Sequence, residues 1–163
     1  MRITKGKGGS GLKEVERAYL AGLFDGEGCA SVTYGQFVRV GSQRVYPNRH
    51  VQFVISNTDN RVLKEIRFLF GKGGIYSKKS FRITNPKDII DAIELIRPYI
   101  RVKKADLSNL YDASKYMLEN RGSLKRHEWT EEERTTFLKF AETSKALKGG
   151  GKRGRPRTHP LKQ

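Results

Sequence analysis

The apolar residues of this chain recur with two rhythms, and the points where one gives way to the other divide it into elements. Val15, Ala18, Tyr19 and Leu23 follow helical spacing and predict an opening helix over residues 13–26 with those side chains inward. Over residues 30–57 the rhythm shortens to two. The runs 31–34 and 36–40 are rich in β-branched and aromatic residues, and 50–55 answers them. A long hairpin is therefore expected, its tip at 41–48 where Gly41, Pro47 and Asn48 interrupt the pattern. Helical spacing returns at Val62, Leu63, Ile66 and Leu69, with Thr58 as cap and Gly71 beyond the end. A shorter hairpin follows, 75–77 against 80–83, turned at Lys78-Lys79. Asn85 then caps a third helix, with Pro86 at its first position, Ile89, Ile90, Ile93 and Ile96 toward the core, and Pro98 as its stop. Residues 104–119 read as a fourth helix through Leu107, Leu110 and Tyr111. Thr130 and Glu133 form a capping box for a fifth, with an apolar stripe of Phe137, Leu138, Phe140, Ala141 and Leu147.

The order helix, hairpin, helix, hairpin, helix, helix is that of an α+β domain whose antiparallel sheet is covered on one face. Polar residues supply the other face. Gln36, Arg39, Gln43, Arg44, Arg49 and Gln52 interleave with apolar positions along the first ribbon, and Tyr76, Lys78, Lys79 and Arg82 along the second. Arginine and glutamine read guanine and adenine edges in the DNA major groove, which admits a two-stranded ribbon. Charge changes the picture further. Lysine and arginine number 33 against 17 acids, a net +16 over 163 residues, which argues for a polyanionic partner, most simply nucleic acid. No apolar stretch approaches the roughly 20 residues that span a bilayer, so no membrane partner is expected. Cys29 is alone, which excludes an intrachain disulfide and a cysteine-based zinc site, and His50, His127 and His159 are far apart without ligand spacing, which argues against a histidine metal site. Residues 1–12 read as a flexible basic segment without the apolar core of a secretory signal, and the expected compartment is intracellular: cytoplasm, nucleoid or organelle. Residues 13–147 form one domain. Residues 148–163 are a basic tail in which Arg153-Gly154-Arg155-Pro156 resembles the core of an AT-hook, a minor-groove binder.

The opening helix carries the chemistry. Ala18, Gly22 and Gly26 fall at i, i+4 and i+8, a stripe of small residues that lets another backbone approach closely. Glycine inside a helix costs about 0.5–1 kcal/mol relative to alanine, so two of them require a compensating contact. Asp25 and Glu27 sit at the C-terminal end, where the helix dipole disfavours a carboxylate by about 0.3–1 kcal/mol. Gly28 is suited to the left-handed residue that stops a helix. If the small stripe lies on a two-fold axis, Glu27 meets its own mate, and paired hard oxygen ligands suit magnesium.

The run Leu20-Ala21-Gly22-Leu23-Phe24-Asp25-Gly26-Glu27-Gly28 closely resembles the signature of the LAGLIDADG homing endonucleases, and seven of its nine positions match when Glu27 counts as the second aspartate. The resemblance implies an αββαββα fold whose sheets form a saddle over double-stranded DNA, here with extra C-terminal helices and a basic tail. It implies that Glu27, with backbone oxygen near Gly26, holds Mg2+ or Mn2+. Two further stretches match. Residues 53–61 place Asn57 at the family's polar position after the second strand and Arg61 at its basic one. Residues 98–103 place Lys103 on its active-site lysine. With one signature in the chain, the resemblance implies a homodimer joined through Ala18, Ala21, Gly22, Asp25 and Gly26. Such a dimer cuts a long pseudo-palindromic site and leaves 3′ overhangs. Two other readings use the same scaffold: a maturase that binds intron RNA, and a transcription factor without catalysis.

Overall fold

The computed structural model describes residues 11–38, 41, 45–120 and 130–149, with the backbone alone at 36–38 and 45–47. Helix α1 (Glu14–Glu27) runs into strand β1 (Gly28–Val38) with no connecting residue, and β2 (Val45–Ser56) returns antiparallel to it. Helix α2 (Asn60–Phe70), strands β3 (Gly74–Tyr76) and β4 (Ser80–Ile83), and helix α3 (Pro86–Ile96) follow. One turn of 3-10 helix at Arg97–Tyr99 leads to α4 (Lys104–Glu119), and α5 (Glu131–Leu147) ends the described chain. The strands lie in the order β1-β2-β4-β3, all antiparallel. The α+β arrangement expected from the apolar rhythm, αββαββα with two additional helices, is the one observed.

Register assigns the two faces of the sheet. Ala30 pairs with Phe53, Val32 with Val51, and Phe53 in turn with Ile83. These side chains are buried, as are Ile55 and Phe81, and every helix packs on this side. Its centre is a chain of rings. Phe24 stacks on Phe53 at 4.5 Å, Phe53 meets Phe70 edge-on at 5.6 Å, and Phe70 stacks on Phe81 at 5.6 Å. Full burial of each such side chain contributes about 1.5–3 kcal/mol. Because the helices take one face, alternation leaves Thr33, His50, Gln52, Val54, Ser56 and Arg82 on the other.

Several local expectations are corrected. In α1 the buried residues are Leu20, Ala21 and Phe24, whereas Val15 is 75% exposed and Tyr19 is 39% exposed, so the helix turns a different stripe inward. Asp59, not Thr58, caps α2 by accepting the Arg61 N–H. Gly28 is extended (φ −83°, ψ 157°) rather than left-handed. Its small size serves another end: a methyl group there would overlap the ring and carbonyl oxygen of Phe24. The short hairpin turns at Ser77-Lys78, both with positive φ (51° and 55°), one residue before the expected place. Asn85 with Pro86, and Thr130 with Glu133, cap α3 and α5 as read from the sequence. The N-terminal segment through residue 10 and the AT-hook-like run lie outside the described residues, as do Arg39, Gln43 and Arg44.

Candidate active site

The site forms where α1 ends. The last turn of α1 lacks a basic residue and no left-handed glycine follows, so its terminal carbonyls need partners. The Gly28 N–H and the Lys103 ammonium both donate to the Phe24 carbonyl, Lys103 at 3.2 Å, and Lys103 also donates to the Gly28 carbonyl at 2.6 Å. Glu27 lies between those two residues. Its side chain is exposed and makes no hydrogen bond or ion pair among the described residues.

Glu27 borders a groove on the open face of the sheet, together with Val54, Ser56, Asn57, Thr58, Ser77, Lys79, Ser80 and Arg82. Strand alternation places Val54 and Ser56 there in line with Gln52, a pattern already present in the spacing of residues 52, 54 and 56 although only Gln52 was singled out. Arg82 lies across the Tyr76 ring at 5.2 Å and donates to Ser80 Oγ at 3.1 Å, which holds its guanidinium on this face. Gln52 and His50 pair through their side-chain nitrogens at 3.4 Å. Lys78 and Lys79 are exposed at the hairpin tip.

The other expected residues are placed as follows. Asn57 Oδ1 accepts the Asp59 N–H at 2.8 Å and so shapes the turn into α2. Arg61 does not border the groove; it pairs with Asp59 at 2.8 Å. Hydrogen bonds from the Arg61 side chain, then its backbone, lower the Asp59 carboxyl to about 2. Arg49, expected to face DNA, shares the helix-covered parity of Val51 and Phe53 and is half-buried opposite Tyr34. Burial there lowers its pKa, opposed by the nearby Glu133 of α5. Gln36 is paired in register with Pro47.

Two residues expected at a subunit seam are engaged within the protomer. Ala21 is fully buried in the core. The Asp25 carboxylate accepts three successive backbone N–H groups, Arg101 at 2.8 Å, Val102 at 3.2 Å and Lys103 at 3.0 Å. Burial pushes its pKa up, but these hydrogen bonds and the Lys103 charge outweigh it, and the net shift is downward. Ala18, Gly22 and Gly26 are exposed, and a methyl group built on either glycine meets no described residue within 4 Å.

The model of the LAGLIDADG endonuclease family matches residues 20–118, from the first signature residue into the last turn of α4. The chain belongs to this family. Among curated proteins no sequence matches the chain. Solved LAGLIDADG structures match its fold. The homing endonuclease I-CvuI, in complex with the I-CreI target in the presence of magnesium, superimposes with a TM-score of 0.69 at 18% identity, over 86% of this chain and 87% of that one. The archaeal intron-encoded homing endonuclease I-Vdi141I, complexed with DNA, gives 0.65 at 17% identity over 91% of each chain. The LAGLIDADG homing endonuclease I-LtrWI bound to target DNA gives 0.60 at 20% identity, but here 81% of this chain covers 45% of that one. The signature of the LAGLIDADG family therefore coincides with the helix that ends in Glu27. Among the described residues, no three His, Cys, Asp or Glu side chains gather into a metal cluster.

Proposed function

We propose that the chain is an intron-encoded homing endonuclease that cuts both strands of a long, pseudo-palindromic DNA site as a homodimer, with a divalent metal, leaving 3′ overhangs. The observation that carries this reading is Glu27, a carboxylate without a partner among the described residues, at the end of the family's signature helix and bordering a groove with Lys79 and Arg82. Both its oxygens are open to a hard cation, and magnesium or manganese suits such a ligand. One carboxylate is half a site. The exposed stripe of Ala18, Gly22 and Gly26 supplies the means of completing it, since a second copy of α1 packed there brings a second Glu27 close.

The divalent ion supplies charge neutralisation for the attacking and leaving oxygens of the phosphodiester. The rest falls to the chain. Lys79, Arg82 and the exposed tip lysine Lys78 attract the backbone, and Gln52 with Arg82 presents donors to base edges on the sheet's open face. Lys103, bonded to the carbonyl of Gly28 next in sequence to Glu27, supplies a cation for negative charge developing on the phosphate. Asn57 orders the groove's rim through Asp59, and Arg61 reaches DNA phosphate by exchanging its pairing with Asp59. The compartment is intracellular, where such a target lies. An intron-RNA maturase is not favoured, because the similar solved structures are complexes with DNA.

A library of duplexes with randomised centres, incubated with magnesium and scored for cut ends, tests this reading, with calcium as the non-cleaving control. A single recovered sequence with pseudo-two-fold symmetry and 3′ overhangs is expected. Glu27→Gln should bind that duplex in calcium within about two-fold of the parent and cut at least about 100-fold more slowly in magnesium. Undiminished cutting by this variant would remove Glu27 from the reaction.

A further inference from the structure

The ends of α1 and α4 complete one another. The N-cap of α4 is Lys103, which has no side-chain cap, and the N–H groups of Arg101 and Val102 lie ahead of the helix, outside its hydrogen-bond ladder. Asp25 satisfies the N–H groups of all three from 76 to 78 residues away. The end of α1 likewise has no basic residue in its last turn, and its carbonyls receive the Lys103 ammonium. The two contacts run in opposite directions between the same two segments. Asp25 fixes the backbone of Lys103, and the Lys103 side chain returns to the residues on either side of Asp25 and Glu27. A lysine side chain has four rotatable bonds, so its ammonium stays on the Phe24 and Gly28 carbonyls only while its Cα is held, and the N–H groups of Arg101, Val102 and Lys103 on Asp25 supply that hold.

We propose that Asp25 is a positioning residue for the cleavage reaction: it holds the 101–103 segment against the end of α1 and thereby sets the Lys103 ammonium on the Phe24 and Gly28 carbonyls, which flank the turn that carries Glu27. The carboxylate is thus neither a metal ligand nor part of the subunit seam. The proposal rests on the endonuclease reading above and deepens it. Misplacement of a reacting group by about 1 Å costs on the order of 100-fold in rate, and a loosened segment misplaces Lys103 by such a distance.

The test compares Asp25→Ala, Asp25→Asn, Lys103→Met and the Asp25→Ala/Lys103→Met double variant in the full-length protein. Amide hydrogen exchange at 101–103 reads the hold itself and does not depend on cutting; both Asp25 variants should exchange faster there. On the duplex selected above, Asp25→Ala should lower the single-turnover rate about 100-fold and Asp25→Asn, which keeps one acceptor oxygen, by less. DNA affinity in calcium and the magnesium concentration for half-maximal cutting should stay within about two-fold. The double variant should cut no more slowly than Lys103→Met, because the acid acts through the lysine. Additive losses in the double variant, a shifted magnesium requirement, or dissociation of the dimer in Asp25→Asn would overturn the proposal. Parent-like cutting by Lys103→Met would instead remove Lys103 from the reaction, a failure of the underlying reading that the exchange data distinguish from failure of the hold. If Asp25→Ala does not fold, Asp25→Asn carries the same comparison.

Discussion

Gly28 stands at the point where a helix becomes a strand without an intervening turn. Its backbone is one that any residue adopts, and the constraint on it is space: the Phe24 carbonyl and ring occupy the volume a methyl group would need. Gly28→Ala is therefore expected to destabilise the protein by about 1–3 kcal/mol, read as a fall in thermal midpoint. Asp25 makes a prediction of the opposite chemical kind. Its folded-state pKa lies below the ordinary 3.8, so its stabilisation is present in full above that value. It is lost as pH falls through the lowered folded-state pKa. Asp25→Asn should cost about 0.5–1.5 kcal/mol near neutrality, the net worth of a hydrogen bond, since the amide keeps one acceptor oxygen. Acid titration of unfolding should show that the gap between the variant and the parent narrows below pH 3.8. The acidic residues of the signature thus part company: Asp25 turns to the protein's own backbone, and Glu27 is left to the solvent. Residue type alone does not reveal that division, because both lie at the end of one helix and only the distant 101–103 segment separates them.

At the scale of elements, capping residues and apolar rhythm were informative and inward-facing stripes less so. Asn85-Pro86 and the Thr130/Glu133 pair are local chemistry, and local chemistry survives folding. The face of α1 was misread because that helix is apolar on more than one side. Leu20 and Phe24 go to the core, while Val15 and Tyr19 are left exposed, Tyr19 bonding Glu65. Arg49 was misread for a related reason. One-residue parity decides the face of a strand, and register comes from pairing with β1 rather than from composition. Helix α5 has its own tie to the sheet: Ser144 Oγ accepts the N–H of Val32 on the edge strand β1, and Phe137 is fully buried beneath it. Ser144→Ala leaves that buried N–H unsatisfied and should cost about 1–3 kcal/mol by denaturant unfolding. The short hairpin gives a stabilising counterpart. Lys78 adopts φ 55°, so Lys78→Gly should raise the thermal midpoint while weakening DNA binding and flattening its salt dependence.

At the scale of the whole molecule, the described helices cover one side of the sheet, and the other side presents polar and basic residues such as Gln52, Ser56 and Arg82. The family fold and the place of the signature were both legible in the sequence. What one chain does not carry is a partner copy, and the small-residue stripe is the surface on which the proposed dimer rests. Gly22 illustrates this. Among the described residues nothing lies within 4 Å of an added methyl group, so Gly22→Leu should leave the protomer folded and gain about 0.5–1 kcal/mol of helix propensity. If the proposed dimer forms through this stripe, the same substitution should yield a monomer in sedimentation and abolish cutting. The shared site itself is tested most directly by a crystal structure of the full chain on its selected duplex, grown with manganese and recorded at the manganese absorption edge. The account predicts anomalous density against Glu27 carboxylates from both protomers at the centre of the DNA. Glu27 side chains remote from each other, or from every anomalous peak, would contradict it.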